Sequence, residues 1–142
     1  MHDLHNNSRA LRVVSPVAIG TTGTGKTGKV IDRQGWGGVE FVVDYGAVTA
    51  TGAVFTVVVK EGDATGSLAS VADSDLLGTE AGAGLAAGAR TSGSSMNVSK
   101  RVGYKGNKRY VNASISSTAT AGTPVAITAV MHNPSIAPTS NP

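Results

Sequence analysis

Apolar and polar residues alternate with a period of two in three stretches of this chain. Val39, Phe41 and Val43 alternate with Glu40, Val42 and Asp44, the pattern of a half-buried strand. Between Ala53 and Lys60, Phe55, Val57 and Val59 face one way and Val54, Thr56 and Val58 the other. Apolar residues on both sides place that strand in the middle of a sheet or between layers. Val125 to His132 alternates through Val125, Ile127, Ala129 and Met131 and reads as the last strand. Asn97–Lys105 and Lys108–Ser116 form two more. Gly106-Asn107 between them suits positive φ and predicts a tight two-residue hairpin. Thr27–Asp32 reads as a short strand, and Gly35-Trp36-Gly37-Gly38 as a turn around one large aromatic. Only Leu68–Leu77 has helical potential, with Ser67 or Ser70 as cap and Gly78 as stop. Thr79–Asn97, rich in Gly, Ala and Ser, reads as a long loop.

The two ends differ from the middle. Residues 1–28 are polar, carry Pro16 and a Gly/Thr loop, and hold no sustained period, so they read as an extended arm. Asn133–Pro142 holds three of the five prolines and reads as a tail. The expected organisation is an arm over 1–28, one domain over 29–132 and a tail over 133–142. Six or seven strands separated by turns predict an all-β fold: an antiparallel, jelly-roll-like β-sandwich with extended arms at both ends.

Composition sharpens this picture. Val occurs 18 times and Leu 6 times, a bias toward strands. Leu, Ile, Val and Phe together make 31 of 142 residues, while Gly and Ala contribute 38 that bury little area each. A core that thin gains from a partner subunit or a larger surface. Cysteine is absent, which excludes disulfides, thiol nucleophiles and thiolate metal sites. No run approaches the roughly 18 apolar residues of a membrane helix. The polar start Met1-His2-Asp3-Leu4-His5 lacks a signal-peptide core, so a soluble protein made in a cytoplasm is expected.

One motif asks for chemistry. Gly20 to Thr27, GTTGTGKT, matches the phosphate-loop pattern, in which a Gly-rich backbone cradles phosphates, Lys26 would reach the outer ones and Thr27 would hold Mg²⁺. Its flanks argue otherwise. Pro16 stands where the buried parallel strand should run. A following helix would carry Gly28 in its first turn and meet Gly35, Gly37 and Gly38, each costing about 1 kcal/mol relative to Ala. The match is expected to be accidental. His132 is the one histidine outside the N-terminal tail, and Asp63, Asp73 and Asp75 lack the spacing of a calcium loop. No catalytic constellation, cofactor site or metal site is expected, and the chain does not read as an enzyme.

Charge is asymmetric. All nine acidic residues lie at or before Glu80, and six basic residues follow it. Lys100, Arg101, Lys105, Lys108 and Arg109 fall within eleven positions together with Tyr104 and Tyr110. Basic charge interleaved with aromatics can bind single-stranded nucleic acid by phosphate attraction and base stacking. Alternation along strands, however, scatters these side chains over two faces and leaves a small electrostatic footprint. A protein-contact surface, with Trp36 added as a large aromatic anchor, is the alternative.

The block Gly103-Tyr104-Lys105-Gly106-Asn107-Lys108-Arg109-Tyr110, preceded by Gly38–Asp44 and Asp75–Thr79, resembles the small head cement or decoration proteins of tailed bacteriophages. The resemblance covers roughly residues 35–132. It implies a β-rich domain that sits on the outside of a capsid, contacts the major capsid protein, and forms a homotrimer at local three-fold axes. It implies a virion location, terminal arms that reach neighbouring molecules, and no membrane. Residues 1–34, including GTTGTGKT, lie outside it. A nucleic-acid-binding β-barrel module using residues 100–110 is the competing expectation.

Overall fold

A computed structural model describes residues 3–19, 25–48, 50–89, 95–118 and 123–136. In chain order its strands are β1 (Ser8–Ile19), β2 (Gly25–Lys26), β3 (Ile31–Asp32), β4 (Trp36–Tyr45), β5 (Phe55–Ala64), β6 (Ser67–Ser70), β7 (Leu76–Leu77), β8 (Val98–Tyr104), β9 (Tyr110–Ser117) and β10 (Thr123–Pro134). A single α-helical turn, α1 (Glu80–Ala83), lies between β7 and β8. The strands form two antiparallel sheets, ordered β1-β10-β4-β8-β7 and β2-β9-β5-β6, with β3 also pairing β9. The fold is an all-β sandwich.

The period-two pattern explains the core. Directly opposed residues in an antiparallel pair share a face. Val39, Phe41, Val43 and Tyr45 of β4 therefore stand beside Met131, Ala129, Ile127 and Val125 of β10, all turned inward. From the other sheet Phe55, Val57 and Val59 of β5 pair with Ser117, Ile115 and Ala113 of β9 and close the core. Tyr45 and Phe55 bridge the layers edge to face, with ring centroids 5.6 Å apart. The Tyr45 hydroxyl donates to the Ala83 carbonyl at 2.7 Å, which ties α1 to the core. Burial there holds the Tyr45 pKa well above the ordinary phenol value. Thr79 caps α1 through a 2.9 Å bond from the Gly82 N–H, so one short turn is ordered inside what composition marked as loop.

The chain changes layer at most of its connections. Only β5–β6 and β7–β8 are neighbours in both sequence and space. This bears directly on the expected 97–116 hairpin, which does not form. β8 lies between β4 and β7 in one sheet, and β9 lies beside β5 in the other. Positive φ among the described residues is found at Gly35, Gly78, Gly88, Asn97 and Asn133, not at Gly106 or Asn107. Gly106 serves a different purpose: a Cβ there would collide with the Tyr104 ring and hydroxyl packed beneath it. Residues 105–109 form a corner between layers.

Further expectations are corrected. The turn expected over Gly35-Trp36-Gly37-Gly38 is confined to Gln34-Gly35, and Trp36, Gly37 and Gly38 begin β4, because Trp36 and Gly38 ladder to Pro134 and His132 of β10. Residues 8–19 do not form an arm. They make the edge strand β1, paired with β10 from Ser8↔His132 to Ile19↔Thr123. Irregularities between Arg12 and Val14 and between Val14 and Val17 break the period, so Leu11, Val14, Val17 and Ile19 line one side without alternating in sequence. Pro16 sits in the second irregularity on the sheet edge, where a missing N–H costs nothing. Leu68–Leu77 is not a helix. Its first part pairs with β5, its middle is a three-residue 3₁₀ turn (Asp73–Asp75), and Leu76-Leu77 is β7. Ladder bonds to β5 outweigh the weak helical preference of a Ser- and Asp-rich stretch. The short strand expected over 27–32 is confined to Ile31-Asp32, with β2 just before it. β10 runs to Pro134, two residues into the expected tail. Residues 137–142 of that tail lie outside the described residues.

Candidate protein-contact surface

The corner between β8 and β9 is built around Arg33, a residue to which the sequence pattern gives no special weight. Its guanidinium donates to the Lys108 carbonyl (2.6 Å), the Gly106 carbonyl (2.6 Å) and the Trp36 carbonyl (3.1 Å). The same group lies 5.2 Å from the Tyr104 ring centroid. Only the planar fork of arginine offers that many donors in fixed directions over an aromatic face. Arg33 thereby holds the corner, the start of β4 and the end of β8 in one arrangement. The Lys105 N–H adds a bond to the Asp75 carbonyl at 2.9 Å, and the Arg33 N–H one to the Arg109 carbonyl at 3.0 Å.

Tyr104 is the buried post of this corner. It is only 1% exposed, and its hydroxyl donates to the Glu61 carboxylate on β5 while accepting from the Lys108 N–H at 3.0 Å. Burial, reinforced by the Glu61 acceptor, pushes its pKa up to about 12. Tyr104 is thus a packing residue and offers nothing to a partner. Tyr110 is half-buried on the outer side, with the Arg109 guanidinium 5.0 Å from its ring centroid.

The basic side chains are largely neutralised. Arg109 grips Asp32 with two bonds, of 3.0 and 2.7 Å. That grip holds the Asp32 pKa below the usual carboxylate value. Lys108 meets Asp63 at 2.6 Å, and Arg101 stands 3.6 Å from Glu40. Lys100 and Lys105 have no carboxylate within ion-pair distance among the described residues. Acidic residues from the first half of the chain have folded onto the basic second half, so the asymmetry in sequence is compensated in space.

Of the eight residues expected at a contact surface, Trp36, Tyr104, Lys105, Lys108, Arg109 and Tyr110 meet at this end of the sandwich. Lys100 and Arg101 lie farther along β8, opposite Val43 and Val42, and so on opposite faces of the sheet. Trp36 is half-buried and pairs with Pro134. The Ser135 N–H bonds the Gly35 carbonyl at 2.8 Å, and Ile136, the next residue, is 80% exposed. Half-buried Trp36 and exposed Ile136 are thus large apolar side chains at the end of the sandwich where Lys108 and Arg109 are paired with Asp63 and Asp32.

The other candidates fall elsewhere. Gly25 and Lys26 are strand residues paired with Ser116 and Ile115, and no helix follows them. Gly20–Thr24, the rest of the phosphate-loop match, lie outside the described residues. His132 lies across Gly38 on the outer face, where a Cβ at residue 38 would strike its imidazole. Among the described residues no helix is long and apolar enough to cross a membrane. No family model matches this chain, and no curated protein matches it.

Proposed function

We propose that this chain is a structural virion protein that binds the outside of a tailed-phage capsid and reinforces the shell as a cement or decoration protein, without catalysing a reaction. The observation that carries this reading is the fate of the block Gly103–Tyr110. The residues that carry the resemblance build a corner pinned by Arg33 and Tyr104, with half-buried Trp36 bonded to Arg33 through its carbonyl and Ile136 exposed just after the Ser135–Gly35 bond. A pre-ordered surface loses little conformational entropy on docking. The major capsid protein is the proposed partner, and the virion surface the proposed location.

The small aliphatic content supports self-association as well. A homotrimer would cover strand edges and shared apolar surface through closed symmetry. Light scattering on a size-exclusion column should give about three times the 14.2 kDa chain mass; a monodisperse monomer at micromolar concentration would contradict it. For the shell, expanded capsids lacking the protein should pull it down on sedimentation, and a Trp36→Ala, Ile136→Ser variant should pellet less. Equal pelleting would remove this surface from the account.

A further inference from the structure

Positive charge without an ion-pair partner also gathers at a place other than residues 100–110. A groove of about 470 Å³ runs along the seam where the edge of β1 approaches the segment that follows β2. It is lined by Arg12, Lys26 and Lys29, by Ser15 and Thr27, and by Val13, Val14 and Val17 beneath them. All three cations are exposed, and none has a carboxylate within ion-pair distance among the described residues. No acidic side chain among the described residues lines the groove. In the same molecule Lys108, Arg109 and Arg101 are all compensated. Three like charges facing one cleft repel each other, and an anionic occupant relieves that repulsion.

We infer that this seam is a docking groove for an extended, acidic segment of a partner protein, in which carboxylates meet Arg12, Lys26 and Lys29 and an apolar side chain rests on half-buried Val17. The geometry favours a peptide over other anions. A phosphate held as the phosphate-loop motif holds it would need a nest of free backbone N–H groups. Gly25 and Lys26 instead lie in the β9 ladder, and the Lys29 N–H is bonded to the Val13 carbonyl at 2.9 Å. Single-stranded nucleic acid is held largely by stacking platforms, and none of the lining residues is aromatic. A peptide fits on two further counts. β1 is the edge strand of its sheet, laddered to β10 on one side, and on its other side, which borders the groove, the Val13 carbonyl accepts from the Lys29 N–H. Cations spread along an edge above apolar positions match a strand whose side chains alternate. This inference stands on the groove alone and does not depend on the capsid reading.

The test is fluorescence anisotropy with a short labelled peptide alternating Glu and Val, added to the full-length protein. Binding should weaken steeply as NaCl is raised from about 50 to 300 mM, because exposed charges are screened over that range. Arg12→Gln, Lys26→Gln, Lys29→Gln should bind about tenfold more weakly, and the triple Glu variant not detectably. These side chains are exposed, so both variants should keep the parental melting curve. Should the Glu variant misfold, the Gln variant and the salt series decide the matter. Peptide binding that is unchanged in the Gln variant would overturn the proposal. So would failure of the peptide to bind, or tighter binding of tripolyphosphate or oligodeoxythymidylate at the same groove.

Discussion

Tyr104 and Glu61 join the two sheets where the chain crosses between them. The tyrosine ends β8, the glutamate lies on β5, and the hydroxyl donates to the carboxylate across the sandwich. This one bond, together with the Lys108 N–H that the same oxygen accepts, turns a flexible basic stretch into a fixed corner.

Tyr104→Phe should therefore destabilise the fold by about 1–3 kcal/mol, since it leaves a half-buried carboxylate and a backbone N–H without their partner. The pH dependence has a defined sign. The phenol pKa is raised in the folded state to about 12, so its contribution is complete below the unfolded value near 10 and is lost as pH rises from about 10 to 12. Thermal melts between pH 8 and 11.5 should show the variant losing less stability than the parent. Parallel curves would contradict this role.

Arg33→Lys tests the corner independently. A lysine keeps the charge but cannot reach three carbonyls and lie flat over Tyr104. Hydrogen exchange should speed up at residues 105–110 with little change in β4 or β10, and stability should fall by about 1–2 kcal/mol. Unaltered protection of the corner would mean that Arg33 does not organise it.

The N-terminal segment should prove indispensable to folding. β1 covers the β10 edge and buries Val13, Val14 and Ile19, each side chain contributing about 1.5–3 kcal/mol. Together these approach the whole stability of a small domain. Deleting residues 1–28 should abolish the cooperative melt, while deleting residues 1–6 should preserve it. A cooperative melt in the longer deletion would return these residues to the status of an arm.

What the sequence makes legible, and what it hides, follows from the period of each segment. β4, β5 and β10 alternate over Val39–Tyr45, Phe55–Lys60 and Thr123–His132 and can be placed from those side chains alone. β1 cannot, because two bulges shift its inward positions and Pro16 mimics a breaker. The layer change at residues 105–109 is hidden for another reason. Gly106-Asn107 is good turn chemistry, yet whether two strands pair depends on which neighbours compete for their edges, and β4, β5 and β7 are distant in sequence. Residue type singled out Trp36 and the basic block, but that Arg33 ties them together shows only in the fold. Residue type does not single out Arg33, since its value comes from three carbonyls that converge only in the folded chain. The neutralisation of Lys108 and Arg109 by Asp63 and Asp32 is equally invisible to a linear count of charge.

Nucleotide binding should be absent. The described part of the phosphate-loop match is a strand pair rather than a strand-to-helix turn. Calorimetry with ATP or GTP and Mg²⁺ should show no heat of binding, and Lys26→Ala should leave the melting temperature unchanged. Micromolar, Mg²⁺-dependent binding that the substitution removes would reinstate the motif.

The central claim concerns the shell. Expanded capsids lacking this protein, with and without the purified chain added back, should be heated while genome release is followed by a DNA-binding dye. The account predicts release at a higher temperature with the intact protein, and a smaller shift with the Trp36→Ala, Ile136→Ser variant. Identical release temperatures with and without the intact protein, at concentrations that saturate any binding, would contradict it.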